Sequence, residues 1–563
     1  MIPPRLAALS LLLGVVATYG CGKEESATET SLGNGSGGGV GGASGSGDQG
    51  GQGGSGSSGG SDGQGGGVVS CEPNATEPCY GGPSGTEGVG VCQGGTRTCN
   101  AAGTAFGACV GEVLPSQENC TTSDDEDCDG TTPTCGSDNL WSRRFGAAEG
   151  LGLIAGSGGH PILVGRFSGT LSFGGNTLTS SGGDDGFITK LDGASGEHLW
   201  SRRLGGAEDQ AAWSVAEDPQ GNIVVIGEFL GQMSVGGGNT LQSEGGYDIF
   251  VAKYDGTDGD HLWSRRFGNS EDQNARGVAV TKTGEILVTG SFSGGVDFGT
   301  GLLESAGSFD VFVLTLDGSG NPVRAQRYGD GEDQNGRAIA VDAGGNAVIT
   351  GDFRGSMTFG ETKLTSAGGF DLFVAKLDPT GGVSYARRFG DMDPQRGYAV
   401  RMNAAGHAVV SGIVRGTVDF GGNALTAQNL DVFLLELSPS GGHVRSLLMG
   451  GSKADSAGGV AIGAGGRFIV GGGFVKDANF GGISLNAQGG ASSSDAFIAR
   501  YDTSGSVISA TPFGDKDDQI ITAIATDAAG RIFVAAQTSG VVDFGQGPLS
   551  GGAAELSLAK LAP

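Results

Sequence analysis

The chain has 563 residues, of which 116 are Gly and 17% are charged, with 61 acidic against 33 basic side chains for a net charge of -28. So much Gly excludes a helical protein, because Gly costs about 1 kcal/mol relative to Ala inside a helix; the acidity excludes a nucleic-acid partner, whose phosphates it would repel. The length exceeds one ordinary domain, and the 37% of apolar residues fall in short runs between Gly and Asp, which predicts many short strands.

Residues 1–20 carry one basic side chain, Arg5, followed by the run LAALSLLLGVVA at 6–17. Spanning a bilayer takes about 20 apolar residues, so this shorter run predicts a cleaved signal peptide. It ends in TYGC at 18–21, which resembles a bacterial lipobox. That resemblance implies that Cys21 is lipidated and becomes the new N-terminus. From 21 to 68 the chain is mostly Gly, Ser, Gln and Asp, with nothing to bury, which predicts an unstructured linker. Between Cys21 and Cys71 such a coil reaches roughly 40 Å. The expected address is the outer membrane or cell surface of a Gram-negative bacterium, with the membrane contacted through the lipid.

Eight further Cys follow, at Cys71, Cys79, Cys92, Cys99, Cys109, Cys120, Cys128 and Cys135. Their density in an exported chain predicts a disulfide-stapled module over 69–137 with four bridges, whose pairing is open among 105 connectivities. The lack of His among them speaks against zinc. The stretch ENCTTSDDEDCDG at 118–130, together with GVCQGGTRTC at 90–99, resembles the metal-binding repeat of myxobacterial secreted proteins. Asp125, Asp127 and Asp129 before Gly130 also have the spacing of the first half of an EF-hand loop, which makes calcium the candidate cofactor. Gly136 stands where a bidentate Glu would complete that loop. The competing reading is a solvated acidic turn between half-cystines.

Beyond Cys135 the chain is periodic. WSRRFG at 141–146, WSRRLG at 200–205 and WSRRFG at 263–268 recur in weaker form ending at Gly329, Gly390, Gly450 and Gly514. Seven units of about 61 residues predict a repeat architecture. Each carries four runs of strand length, as at 277–280, 286–289, 311–316 and 323–328, which makes each unit one propeller blade. The units, with DLFVAKLD at 371–378 as an example, resemble the bacterial beta-propeller repeat (SBBP-like) family. The expected fold is all-β: a seven-bladed propeller over 138–563. Its last unit stops after a third strand at 555–561, while a surplus fourth-type strand stands at 140–145. Pairing the two predicts a closed ring without an exposed edge.

Successive strands in a blade are antiparallel, so the long second-to-third connections and the fourth-to-first connections share one face. The former carry DFG at 297–299, 419–421 and 543–545, read as an aromatic plug and turn, because no other kinase motif accompanies them. On the latter, the third residue beyond the landmark Gly is acidic in six units: Glu149, Glu208, Glu271, Glu332, Asp393 and Asp517, with Lys453 the exception. These acids are expected to ring the channel mouth, where they hold a cation or polyhydroxylated ligand, or else tie off backbone N–H groups. Neither a serine-nucleophile elbow with its partners nor a zinc-protease motif occurs, so no catalytic residue is assigned. The reading is a surface lipoprotein displaying a propeller toward a protein or glycan ligand. The alternatives are an enzyme acting on extracellular polymer (a lyase or hydrolase), which a carboxylate cluster unique to one blade would favour, and a periplasm-facing assembly scaffold.

Overall fold

The computed structural model describes residues 71–83, 85–115, 125 and 139–563. The expected signal segment, Cys21 and the Gly/Ser-rich linker lie outside the described residues, as do Cys120, Cys128, Cys135, Asp127 and Asp129. The chain divides into two compact units, Met1–Pro133 and Thr134–Pro563. Among the described residues no helix is long and apolar enough to cross a membrane.

In the first unit Thr76–Cys79 pairs antiparallel with Gly95–Thr98. Disulfides join Cys71 to Cys99 and Cys79 to Cys109, with Cα atoms 6.0 and 5.8 Å apart. Cys92 is disulfide-bonded as well and is buried. Most other described side chains here are exposed or half-buried, so covalent closure supplies the restraint that a small unit cannot draw from a core. Such bridges belong to an oxidising, extracellular or periplasmic compartment.

The second unit is a seven-bladed propeller of four-stranded antiparallel blades, of which blades 1 to 6 run from innermost strand outward in chain order. Blade 3 is typical: Gln273–Val280, Ile286–Phe292, Asp310–Leu316 and Pro322–Tyr328. The two middle strands read as continuous apolar runs because both of their faces are covered by neighbouring blades; every residue of Ile286–Phe292 and Asp310–Leu316 is buried. The DFG triplet acts as expected. Phe298, Phe420 and Phe544 are buried under their blades, while Asp297 accepts hydrogen bonds from the Gly299 and Gly301 amides.

The ring closes as the repeat count requires. Asn139–Gly146 pairs with Glu555–Leu561, which makes blade 7 the sheet Gln519–Thr526, Ile532–Thr538, Glu555–Leu561 and Asn139–Gly146. The WSRRFG motif explains how blades adhere. Trp141, Trp200 and Trp263 donate through Nε1 to the carbonyls of Gly193, Gly256 and Gly318, each in the next blade's outer turn. Arg143, Arg202 and Arg265, the first arginines of the motif, donate to carbonyls of the same turns. The second arginine turns inward: Arg203, Arg266, Arg327 and Arg388 pair with the fully buried Asp185, Asp248, Asp310 and Asp371 at the start of each third strand. In blade 7 Arg144 pairs with Glu555 at 2.6 Å and donates to four backbone carbonyls.

Candidate functional site

The innermost strands of all seven blades depart from regular pairing at one equivalent place. Each carries a β-bulge whose extra residue is Leu151, Trp213, Arg276, Arg337, Tyr398, Gly458 or Thr522 in blades 1 to 7. An extra residue has no partner across the ladder and is free to be aimed elsewhere. All seven line the central channel, a cavity of about 540 Å³ walled by the innermost strands alone. The bulge has a sequence signature on the second strand. In blades 1 to 6 a Gly stands there, such as Gly290 or Gly351, whose Cβ would collide with the carbonyl oxygen of Asn274 or Asn335, just before the bulge. Blade 7 carries Ala536 at that place.

The bulge residues form two cation–π pairs across blade boundaries. The Arg276 guanidinium lies 3.8 Å from the Trp213 ring centroid, and that of Arg337 lies 5.1 Å from Tyr398. Carboxylates of the second strands brace them: Arg276 pairs with Glu228 at 2.8 Å, and Arg337 pairs with the buried Asp352, which Arg396 also approaches at 3.9 Å. Blades 2 to 5 thus present aromatic and cationic groups, whereas blades 6 and 7 offer Gly458 and Thr522. The channel is therefore polarised to one side although its scaffold is repetitive.

The six acids expected at the channel mouth do not line this cavity. Glu149 is misaligned with the rest, because the loop in its unit is three residues shorter: it lies inside the innermost strand Ala148–Ala155, buried, and pairs with Arg166 at 2.7 Å. Glu208, Glu271 and Glu332 are exposed on loops, while Asp393 and Asp517 are half-exposed beside Arg415 and Lys516. Loop tying falls to their neighbours. Asn269, Asp330, Asp391 and Asp515 accept from the amides of Glu271, Glu332, Asp393 and Asp517. Gln210, Gln273, Gln334, Gln395 and Gln519 close the same turns from the first position of the inner strand. Asp125 is buried, and its carbonyl accepts from the Val91 amide; its two proposed companions are outside the described residues.

Two blades depart from the acid–base pattern. Leu448 and Pro512 stand where the pairing arginine would be, so among the described residues no cation pairs with the buried Asp431 or Asp495; in the loop after Leu448, Asp455 also replaces the closing Gln. A Cβ at Gly450 would collide with the carboxyls of both Asp431 and Asp455. Burial, and secondarily the charges of Asp431 and Asp477, pushes the Asp455 carboxyl up to about 8, and burial pushes Asp431 up to about 6. Each is 3% exposed, so a polymer chain has no access to them. The five His are structural in their contacts. His198, His261 and His443 share one repeat position; His198 and His443 bond Ser201 and Ser446, His160 takes the Gly193 amide, and His407 pairs with Glu436.

No family model matches the chain. Among curated proteins it is 24% identical over 300 residues to the regulatory protein FlaEY of Caulobacter vibrioides, a match covering 47% of this chain and 30% of that protein. It is 29% identical over 107 residues to an uncharacterised WD repeat-containing protein of Acanthamoeba polyphaga mimivirus, covering 18% of this chain and 8% of the other. The chain therefore spans well under half the length of these relatives. Among solved structures, the Dos1 propeller is similar over 76% of this chain and 97% of its own, with 10% identity and a TM-score of 0.39. The quinohemoprotein alcohol dehydrogenase of Comamonas testosteroni is similar over 69% and 65%, with 12% identity and a TM-score of 0.33.

Proposed function

We propose that this protein is an exported lipoprotein, anchored through Cys21 to the outer membrane of a Gram-negative bacterium, that displays its propeller at the cell surface to bind a protein or glycan. The observation that carries the binding role is the channel: at one repeated position the scaffold is held constant while the channel-facing residue varies from Leu to Trp, Arg, Tyr, Gly and Thr. A purely structural position in a repeat keeps its residue, as the landmark Gly at the end of each outer strand does in all seven units. Variation at a repeated position that faces a common cavity fits a ligand-binding wall. The disulfides support export. In this reading segment 1–20 is the signal peptide, 21–68 the tether, 69–137 the disulfide module and 138–563 the propeller. Calcium on Asp125, Asp127 and Asp129 would order the module's acidic turn.

Two measurements test the reading together. Cells fed a fatty-acid analogue label the wild-type protein and not Cys21→Ser. External protease applied to intact cells cleaves the wild-type protein. Equal labelling of both forms removes the anchor, and protection from protease in intact cells, with cleavage after lysis, moves the protein to the periplasmic side.

A further inference from the structure

The channel has a second feature, three residues beyond the bulges. At that level six blades present Ile154, Ala216, Ala279, Ala340, Ala461 and Ala525, and blade 5 presents Arg401. The Arg401 side chain lines the cavity, and among the described residues its one hydrogen bond goes to the carbonyl of the adjoining Val400, at 3.0 Å. Among the described residues no carboxylate lies within ion-pairing distance of it, whereas Arg276, Arg337 and Arg396 all have one. Burial lowers the affinity of this guanidinium for its proton. Arg401 is half-buried in the channel wall, a charge held there without a partner is costly, and the repeat shows that Ala would serve the fold.

The charged lining of the cavity narrows the anchor to one residue. It consists of Arg276, Arg337, Arg401 and Glu217. Arg276 and Arg337 are already paired with Glu228 and Asp352, and Glu217 accepts from the Ser157 amide and hydroxyl through Oε2 at 2.8 Å each. Arg401 is thus the arginine of the lining whose guanidinium fork, which matches the two oxygens of a carboxylate or phosphate, is left open to a ligand. Leu153, Val215, Val278 and Ile339 give the remaining wall apolar surface for an organic body, within a volume of the size that small-molecule sites have.

We infer that the channel binds a small organic oxyanion, a carboxylate or a phosphate, with Arg401 as its principal anchor. This rests on the binding role proposed above and specifies its ligand chemistry. The test uses the purified full-length protein and three probes: glucuronate, glucose 6-phosphate and uncharged glucose. Binding is followed by calorimetry and by tryptophan fluorescence, because Trp213 lies in the channel wall while Trp141, Trp200 and Trp263 lie on outer strands.

Glucuronate, glucose 6-phosphate or both are expected to give a saturable response that glucose does not, and the stronger one identifies the oxyanion. Arg401→Ala is expected to weaken that response at least tenfold without lowering the melting temperature, since Ala occupies most equivalent positions. Trp213→Phe should remove the fluorescence change while calorimetry still detects binding. The inference is overturned if neither anion responds by about 50 mM, well above a millimolar affinity. It is also overturned if glucose matches them, if Arg401→Ala binds as the wild type does, or if that variant melts far below it, which would make Arg401 a structural brace. A silent channel in a protein still lipidated and protease-accessible on cells defeats this inference alone, and leaves surface display standing.

Discussion

Ring closure by the strand Asn139–Gly146 makes a quantitative prediction for Trp141→Ala. Trp141 is 4% exposed, its indole donates to the Gly193 carbonyl at 3.2 Å, and its ring lies 6.0 Å from that of Phe533. Truncating a buried Trp costs about 3 to 5 kcal/mol. For a cooperative unit of 425 residues, 139–563, an unfolding entropy of about 2.1 cal/mol/K per residue gives roughly 0.9 kcal/mol/K, so the melting temperature should fall by roughly 3 to 6 °C. Trp200 supplies an internal standard, because it is also 4% exposed, bonds the Gly256 carbonyl at 3.3 Å, and sits at the same place in an uninterrupted blade. Trp141→Ala and Trp200→Ala should therefore lose stability equally in calorimetry. A Trp141→Ala protein that melts with the wild type, while Trp200→Ala does not, would show that the N-terminal strand is not part of the ring.

Asp455→Gln installs the residue that five equivalent loops carry, and its effect should depend on pH. The folded carboxyl is raised to about 8 by burial, so between roughly pH 4 and 8 the folded state holds a proton that the unfolded state has released, and stability falls as pH rises through that window. The substitution should raise the melting temperature at pH 8, have little effect near pH 4, and flatten the thermal profile between; an equal gain at both would discard the assignment. Arg388→Ala leaves the fully buried Asp371 unpaired and should cost several kcal/mol in urea unfolding, more than Arg415→Ala, whose partner Asp393 is half-exposed. In the disulfide module, calcium should bind weakly, about 10⁻⁴ to 10⁻³ M, for want of a bidentate Glu. Calorimetry that finds unchanged binding in Asp127→Asn with Asp129→Asn would remove those ligands.

The architecture was legible because its determinants are local and repeated. WSRRFG or a weaker form ending in the same Gly marks every outer strand, the Gly and Asp turns mark the ends, and the strands at 140–145 and 555–561 suffice to close the ring. The aromatic plug at Phe298, Phe420 and Phe544 could be read for the same reason. The surroundings of the six acids were not legible, because position along the chain does not give position across the sheet. A loop three residues shorter in the first unit places Glu149 inside a strand facing Arg166, and the loop-tying work belongs to Asp330, Asp391, Asp515 and the five glutamines one or two places away. Hydrogen-bond partners of that kind are set by tertiary geometry, which a one-dimensional count of acids does not contain.

The channel wall was hidden for a different reason. A bulge adds one residue to a strand without changing its composition, so alternation along the innermost strands does not reveal it; its trace is the Gly on the neighbouring strand, which reads as an ordinary turn former until the carbonyl it accommodates is seen. Once the blades are superposed by register, one column separates from the rest. It holds Leu151, Trp213, Arg276, Arg337, Tyr398, Gly458 and Thr522, with Leu, Val or Ile two places on. A repeat keeps the residues that hold blades together and releases those that do not. In this protein the released positions face a common cavity, and three places further in a single arginine stands in a ring otherwise made of Ala and one Ile. The residues that repetition made easy to read are those of the scaffold, and the ones that deviate from it are where a ligand would be distinguished.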